Sequence, residues 1–128
     1  MIRIIIAGGR KFNNYDLLVD SFKELILELK EKHNISKSDV EIISGGASGA
    51  DKLGELLAQR NSLKLSKFPA DWNLYGKSAG YKRNAQMASY ASQEQGILLA
   101  FWDGTSKGTG HMIDLAMKAG LERKIVKY

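Results

Sequence analysis

Apolar residues along the 128-residue chain fall into two alternating kinds of run. Ile4-Ile5-Ile6-Ala7, Val40-Glu41-Ile42-Ile43, Leu63 to Phe68 and Ile97 to Phe101 are short, aliphatic stretches that read as strands, and Arg123 to Lys127 closes as a fifth. The intervening segments carry apolar residues at helical spacing instead. A first helix is predicted from Tyr15 to His33, where Leu18, Phe22, Leu25, Ile26 and Leu29 recur on one side. A second opens near Ala50 with Leu53, Leu56 and Leu57 on one face, and a third runs from Ala79 to Ala91 with Ala85, Met87, Ala88 and Ala91 available for packing. A fourth opens near Thr109, carries Met112, Ile113, Leu115 and Ala116, and stops at Gly120, a residue suited to a C-terminal cap. Strands separated by helices imply parallel pairing through right-handed crossovers, with helices on both sheet faces. The predicted fold is therefore α/β, a three-layer sandwich around a mostly parallel five-stranded sheet of order 3-2-1-4-5. It forms one domain over residues 1–128, without repeat or linker, and its crevice lies between the first and fourth strands.

The segments that leave the strands are unusual. In an open parallel sheet, the loops leaving the carboxyl ends lie on one rim, where ligands bind. The first strand runs into Gly8, Gly9 and Arg10, which bring flexible backbone and a cation. The second runs into Ser44, Gly45, Gly46, Ala47, Ser48, Gly49, Ala50 and Asp51, with three glycines in six residues. Such a loop, opening a helix, presents free N–H groups and the positive end of the helix dipole, a surface suited to phosphate. Asp51, in the first helical turn, has two readings: a cap for free N–H groups, or a ligand for a ribose hydroxyl. The spacing matches neither the Walker pattern nor G-x-G-x-x-G. The fourth strand ends at Trp102 and Asp103, turns at Gly104, and reaches Lys107, Gly108, Thr109 and Gly110 at a helix start. There Thr109 either caps the helix or donates to phosphate, and Trp102 is either core or a platform for a base. His111 reads as structural.

The connection after the third strand is long and chemically rich, and long ordered loops are disproportionately functional. Asp71, Trp72, Lys77, Arg83 and Asn84 bring a carboxylate, an aromatic ring, two cations and an amide. Arg83 can clamp phosphate in a fork and Asn84 can hydrogen-bond a base or sugar. The competing expectation is that Arg83 pairs with Asp71 and only pins the loop.

Composition narrows the classes further. The absence of cysteine removes disulfides and thiolate metal sites, and His33 and His111 stand too far apart in sequence to form a spaced ligand motif. No metal or cofactor is called for. The opening Met-Ile-Arg-Ile-Ile-Ile is too short for a signal-peptide core, and no apolar run approaches the roughly 20 residues that span a bilayer. A cytoplasmic protein with no membrane partner is the expectation. The net charge of +5 suits an anionic partner, although lysines at solvated helix positions such as Lys23, Lys30 and Lys118 account for much of it.

Taken together, Gly8-Gly9-Arg10, Ser44 through Asp51, Ala70-Asp71-Trp72 through Gly80-Tyr81-Lys82-Arg83-Asn84 with Met87, and Gly104 through Gly108-Thr109-Gly110-His111-Met112 resemble the SLOG superfamily. This is the Rossmann-like group containing Lonely Guy phosphoribohydrolases and the DNA-processing protein A core, and the resemblance is to its small YspA-type branch. It implies a nucleotide or nucleotide-derived ligand, with the two glycine loops at phosphate and ribose, and a homo-oligomer. Lonely Guy enzymes cleave an N-glycosidic bond with an Arg before the third helix, which Arg83 matches, and a Glu just after Gly-Thr. Here Gly110, His111 and Met112 follow Thr109, and no carboxylate appears before Asp114. Glycosidic cleavage needs an anionic group, so Asp51 and Asp71 are the candidate catalytic carboxylates, with Arg83 positioning phosphate. The expected function is ligand binding as a sensor or sequestering module. Hydrolysis of an N-glycosidic or phosphoribosyl bond is one alternative, and single-stranded nucleic-acid binding through basic and aromatic residues is another.

Overall fold

The computed structural model describes residues 1–128 and contains one all-parallel sheet. The elements are β1 (Ile2–Gly8), α1 (Tyr15–Lys32), β2 (Val40–Ser44), α2 (Ala50–Arg60), β3 (Lys64–Lys67), α3 (Trp72–Tyr75), α4 (Ala79–Ser92), β4 (Gln95–Trp102), α5 (Lys107–Lys118) and β5 (Glu122–Lys127). Strand order is β3-β2-β1-β4-β5, as the alternation of patterns predicts. The last helix starts at Lys107, earlier than the opening predicted near Thr109, because Gly108 and Thr109 complete its first turn instead of preceding it. The long connection after β3 is also more ordered than a loop, holding α3 and a 3₁₀ turn at Gly76–Ser78. No helix is long and apolar enough to cross a membrane.

The central strands are apolar on both faces because both faces are covered. Ile4 and Ile6 of β1 pack with Leu18, Leu25 and Leu57 beneath α1 and α2. Ile5 and Ala7 point the other way, toward Met87, Ala91 and Met112 of α4 and α5. The chain changes faces between β3 and β4, and β4 then lies beside β1 in register from Ile2–Gln95 to Gly8–Phe101. Loops leaving β1 and β4 consequently diverge, opening a crevice at their carboxyl ends. Gly8 sits at its floor. A Cβ there would strike the Phe101 carbonyl oxygen and crowd the Ala50 side chain, so this position must stay small.

One charged residue breaks the apolar pattern of β2. Glu41 is fully buried near the amino ends of the strands, where it accepts hydrogen bonds from Ser66 Oγ (2.5 Å), Tyr90 Oη (2.6 Å) and Arg3 Nε (3.2 Å). Burial by itself would raise its pKa, but the bonds from Ser66, Tyr90 and Arg3, with the charge of Lys64, outweigh it and hold the carboxyl below its ordinary 4.5. Arg3 also lies over the Tyr90 ring at 3.7 Å, tying α4 to the sheet. Glu41→Gln should cost about 2 kcal/mol at pH 7 by denaturant unfolding, the scale of hydrogen bonds to a charged group. Because the native pKa is depressed, this stabilisation is present above pH 4.5 and lost as pH falls through the native value. A difference from wild type that stays constant down to pH 2 would contradict the ionic account.

Candidate functional site

The β2–α2 loop is shaped by glycine where side chains cannot fit. Gly46 and Gly49 have φ of +75° and +80°. Gly49 is the N-cap of α2 and has no side chain with which to cap it. A Cβ on Gly49 would run into the Gly9 carbonyl and the Arg10 backbone. The Ala50 N–H donates to that same Gly9 carbonyl at 3.3 Å, so the loops after β1 and β2 are locked edge to edge. Gly49→Ala should therefore destabilise the fold by about 2 kcal/mol, combining a strained φ with this contact. A change under 0.5 kcal/mol in urea unfolding would show that the two loops separate easily.

Gly45 is required for a different reason. A side chain there would meet the Arg83 guanidinium within 2.6 Å and Asp51 Oδ2 at 2.9 Å. Arg83, on the first turn and a half of α4, donates from Nη1 to the Gly45 carbonyl and from Nε to Asn84 Oδ1 (3.0 Å). Since Oδ1 of Asn84 is the acceptor, its Nδ2 is the donor, reaching the Gly108 carbonyl (3.4 Å) and His111 Nδ1 (3.3 Å). That arrangement selects the His111 tautomer protonated on Nε2. Burial also lowers the pKa of His111, against the charge of Asp114 and with that of Lys118. The imidazole packs edge-on against Tyr81 at 4.4 Å. Arg83 and Asn84 thus bridge the β2–α2 loop to the start of α5. Arg83 does pin a loop, but through Gly45 rather than through Asp71.

Asp51 is 5% exposed and accepts a hydrogen bond from the Ala47 N–H at 3.1 Å. Burial raises its pKa from the ordinary 3.8 to about 6, against the Ala47 bond and the charges of Arg83 and Arg10. On the opposite wall, Asp103 Oδ1 accepts from the Thr105 and Ser106 N–H groups at 2.9 and 2.8 Å, and these bonds lower its pKa. Asp103 folds the loop so that α5 begins at the crevice. Its N-cap, Ser106, provides no side-chain cap.

The resulting cleft, about 380 Å³, lies over the β1/β4 junction. It brings together Gly8, Gly9 and Arg10, then Ala47 and Asp51, then Arg83 and Asn84, and finally Asp103, Gly108 and Thr109. A neighbouring cavity of about 490 Å³ takes Gly45, Gly46 and Trp72, and a smaller one of about 210 Å³ takes Lys77 and again Trp72. Ser44, Gly49 and Ala50 support these surfaces from below, with Ser44 Oγ donating to Glu55 at 2.6 Å. Of the other predicted residues, Trp102, Gly104, Lys107 and Gly110 also stand outside the cavities. The Trp102 ring lies against Gly110 and its Nε1 donates to the Ser106 carbonyl at 3.0 Å, so it braces the loop. Asp71 also lies outside, exposed, with Oδ1 capping α3 through the Leu74 N–H at 3.0 Å.

Several cavity residues carry no sequence signal of their own. Tyr128 reaches the first cleft from beyond β5, its hydroxyl against Gly9. Lys11 follows Arg10 there, and Glu55 lines the second cavity from the second turn of α2. Only Lys11 was within reach of motif reading, as the neighbour of Arg10.

Residues 2–75 match the pattern of the family described as the YspA, cpYpsA-related SLOG family. The chain is also 30% identical over 126 residues to the Gene 61 protein of Mycobacterium phage D29, a match covering 94% of this chain and 93% of the phage protein. No solved structure matches it.

Proposed function

The chain belongs to the YspA, cpYpsA-related SLOG family, and we propose that it binds a nucleotide or nucleotide-derived ligand at the β1/β4 crevice, as a sensor or sequestering module. The observation that carries this reading is the convergence of Arg10, Arg83 and the uncapped start of α5 on a cleft that also holds the Asp51 carboxylate. The cations and the helix start suit phosphate. Asp51 suits a ribose hydroxyl, since an ionised carboxylate accepts but does not donate hydrogen bonds. Arg10 makes no side-chain hydrogen bond or ion pair within the protein, which leaves its fork for a ligand.

A second reading, hydrolysis of an N-glycosidic bond, draws on Asp51 alone. It is the carboxylate buried in the cleft beside Arg83, whereas Asp71 is engaged in capping α3. The helix start that would supply a Glu instead carries Gly110 and His111, and a neutral imidazole does not stabilise oxocarbenium charge.

Calorimetric titration with AMP, GMP, ADP and GDP, followed by chromatography for free base, tests both readings. Binding without base release is the expected result. Release abolished by Asp51→Asn would establish the hydrolase in its place. Failure of all four to bind, with oligonucleotide binding that falls steeply with salt, would replace both with nucleic-acid recognition.

A further inference from the structure

The 380 Å³ cleft and the 490 Å³ cavity beside it meet at Arg10, Ala47 and Arg83, which line both. Each space is of the size that small-molecule groups occupy. The waist between them is strongly cationic. Arg10 makes no side-chain hydrogen bond or ion pair, and Arg83 spends Nη1 and Nε on Gly45 and Asn84 while its Nη2 makes no hydrogen bond. A single nucleoside monophosphate in the first cleft would leave the second cavity unused.

The second cavity has its own recognition groups. Trp72 is 52% exposed and lines it with an indole. Glu55, 5% exposed, lines the same cavity. Its Oε2 accepts from Ser44 Oγ, while Oε1 has only loose ion pairs with the solvated ends of Lys67 (3.5 Å) and Lys52 (3.7 Å). A buried carboxylate oxygen whose partners are two solvated ammonium groups, in a cavity that also presents an exposed indole, is equipped for a planar ring that bears N–H groups.

Resting on the nucleotide-binding reading, we infer that the ligand is two-ended: a nucleoside diphosphate conjugate whose diphosphate lies at the Arg10–Arg83 waist, with one end in the β1/β4 cleft and a planar, N–H-bearing ring in the cavity of Trp72 and Glu55. The Arg10 fork together with the outward Nη2 of Arg83 gives donors on both sides of the waist, which suits the outer oxygens of two linked phosphates better than those of one. The second cavity then discriminates conjugates from the free diphosphates that share the first cleft.

The test compares ADP and GDP with diadenosine and diguanosine diphosphate on the intact chain. At least one dinucleotide should bind tenfold or more tightly than its parent diphosphate, and Trp72→Ala or Glu55→Gln should bring that ratio close to one. In a Trp102→Phe background, which leaves Trp72 as the remaining tryptophan, the dinucleotide should quench indole fluorescence more than ADP does. Wild-type ratios near one, with ADP or GDP bound, would overturn the two-ended ligand and leave the nucleotide-binding reading standing. A ratio above ten that survives both substitutions would overturn the assignment of the second end to this cavity. Absence of binding by all four compounds would overturn both readings.

Discussion

Replacing Arg83 by lysine should weaken nucleotide binding by about 10- to 100-fold, the equivalent of the 1.5–3 kcal/mol typical of one hydrogen bond to a charged group. The charge is conserved, so a purely Coulombic contribution would survive. The loss is one of geometry: the guanidinium donates at once to Gly45, to Asn84 and from Nη2 outward, whereas a lysine ammonium offers one rotating point of donors. Burial, opposed by the Asp51 charge and reinforced by Arg10, lowers the pKa of Arg83, yet a guanidinium remains protonated where a buried amine releases its proton more readily. Because Arg83 also pins the β2–α2 loop, unfolding of the same variant must be followed alongside the titration. Gly45→Ala serves as the comparison, since it pushes the guanidinium without removing it. Lost stability with unchanged affinity in Arg83→Lys would reduce Arg83 to a loop brace.

The fold was legible because its strands are covered on both faces. Runs such as Ile4 to Ala7 and Ile97 to Phe101 are apolar without alternation, which in a chain of strands separated by helical spacing permits only a parallel sheet. The glycine loops were legible as well, since Gly46 and Gly49 adopt backbone that other residues avoid. Individual roles in the loops were less so. An Asp before a short helix reads the same whether it faces a ligand or, like Asp71, the N–H groups of its own turn. Trp102 at a strand end has the same ambiguity, which is settled by whether the ring turns toward the cleft or toward Gly110. Glu55 and Tyr128 were out of reach for another reason. Each lies within or beyond a regular element, and only the packing of α2 against β2 and of Tyr128 against Phe12 carries it to the rim.

Asp51→Asn should make the protein more stable at neutral pH. Moving the native pKa from 3.8 to about 6 means that an ionised Asp51 costs on the order of 3 kcal/mol in the folded state at pH 7. The sign is that of a raised native pKa. Below pH 3.8 the carboxyl is neutral in both states and the folded protein bears no penalty; as pH rises through 6 that advantage is lost. Asparagine keeps an acceptor for the Ala47 N–H without the charge, so the variant should gain about 1–3 kcal/mol over wild type at pH 7 and nothing at pH 3.5. Glu41 and His111 titrate over neighbouring ranges in the opposite sense, so the quantity to follow is the difference between variant and wild type at each pH. The variant should simultaneously bind nucleotide more weakly, because the amide replaces a charged acceptor for a ribose hydroxyl with a neutral one. Gained stability joined to lost affinity is the signature of a charge kept in a buried place for its ligand. A variant less stable than wild type at pH 7 would instead make Asp51 a structural partner of Arg83, and the cleft would lose its candidate for both ribose recognition and glycosidic chemistry.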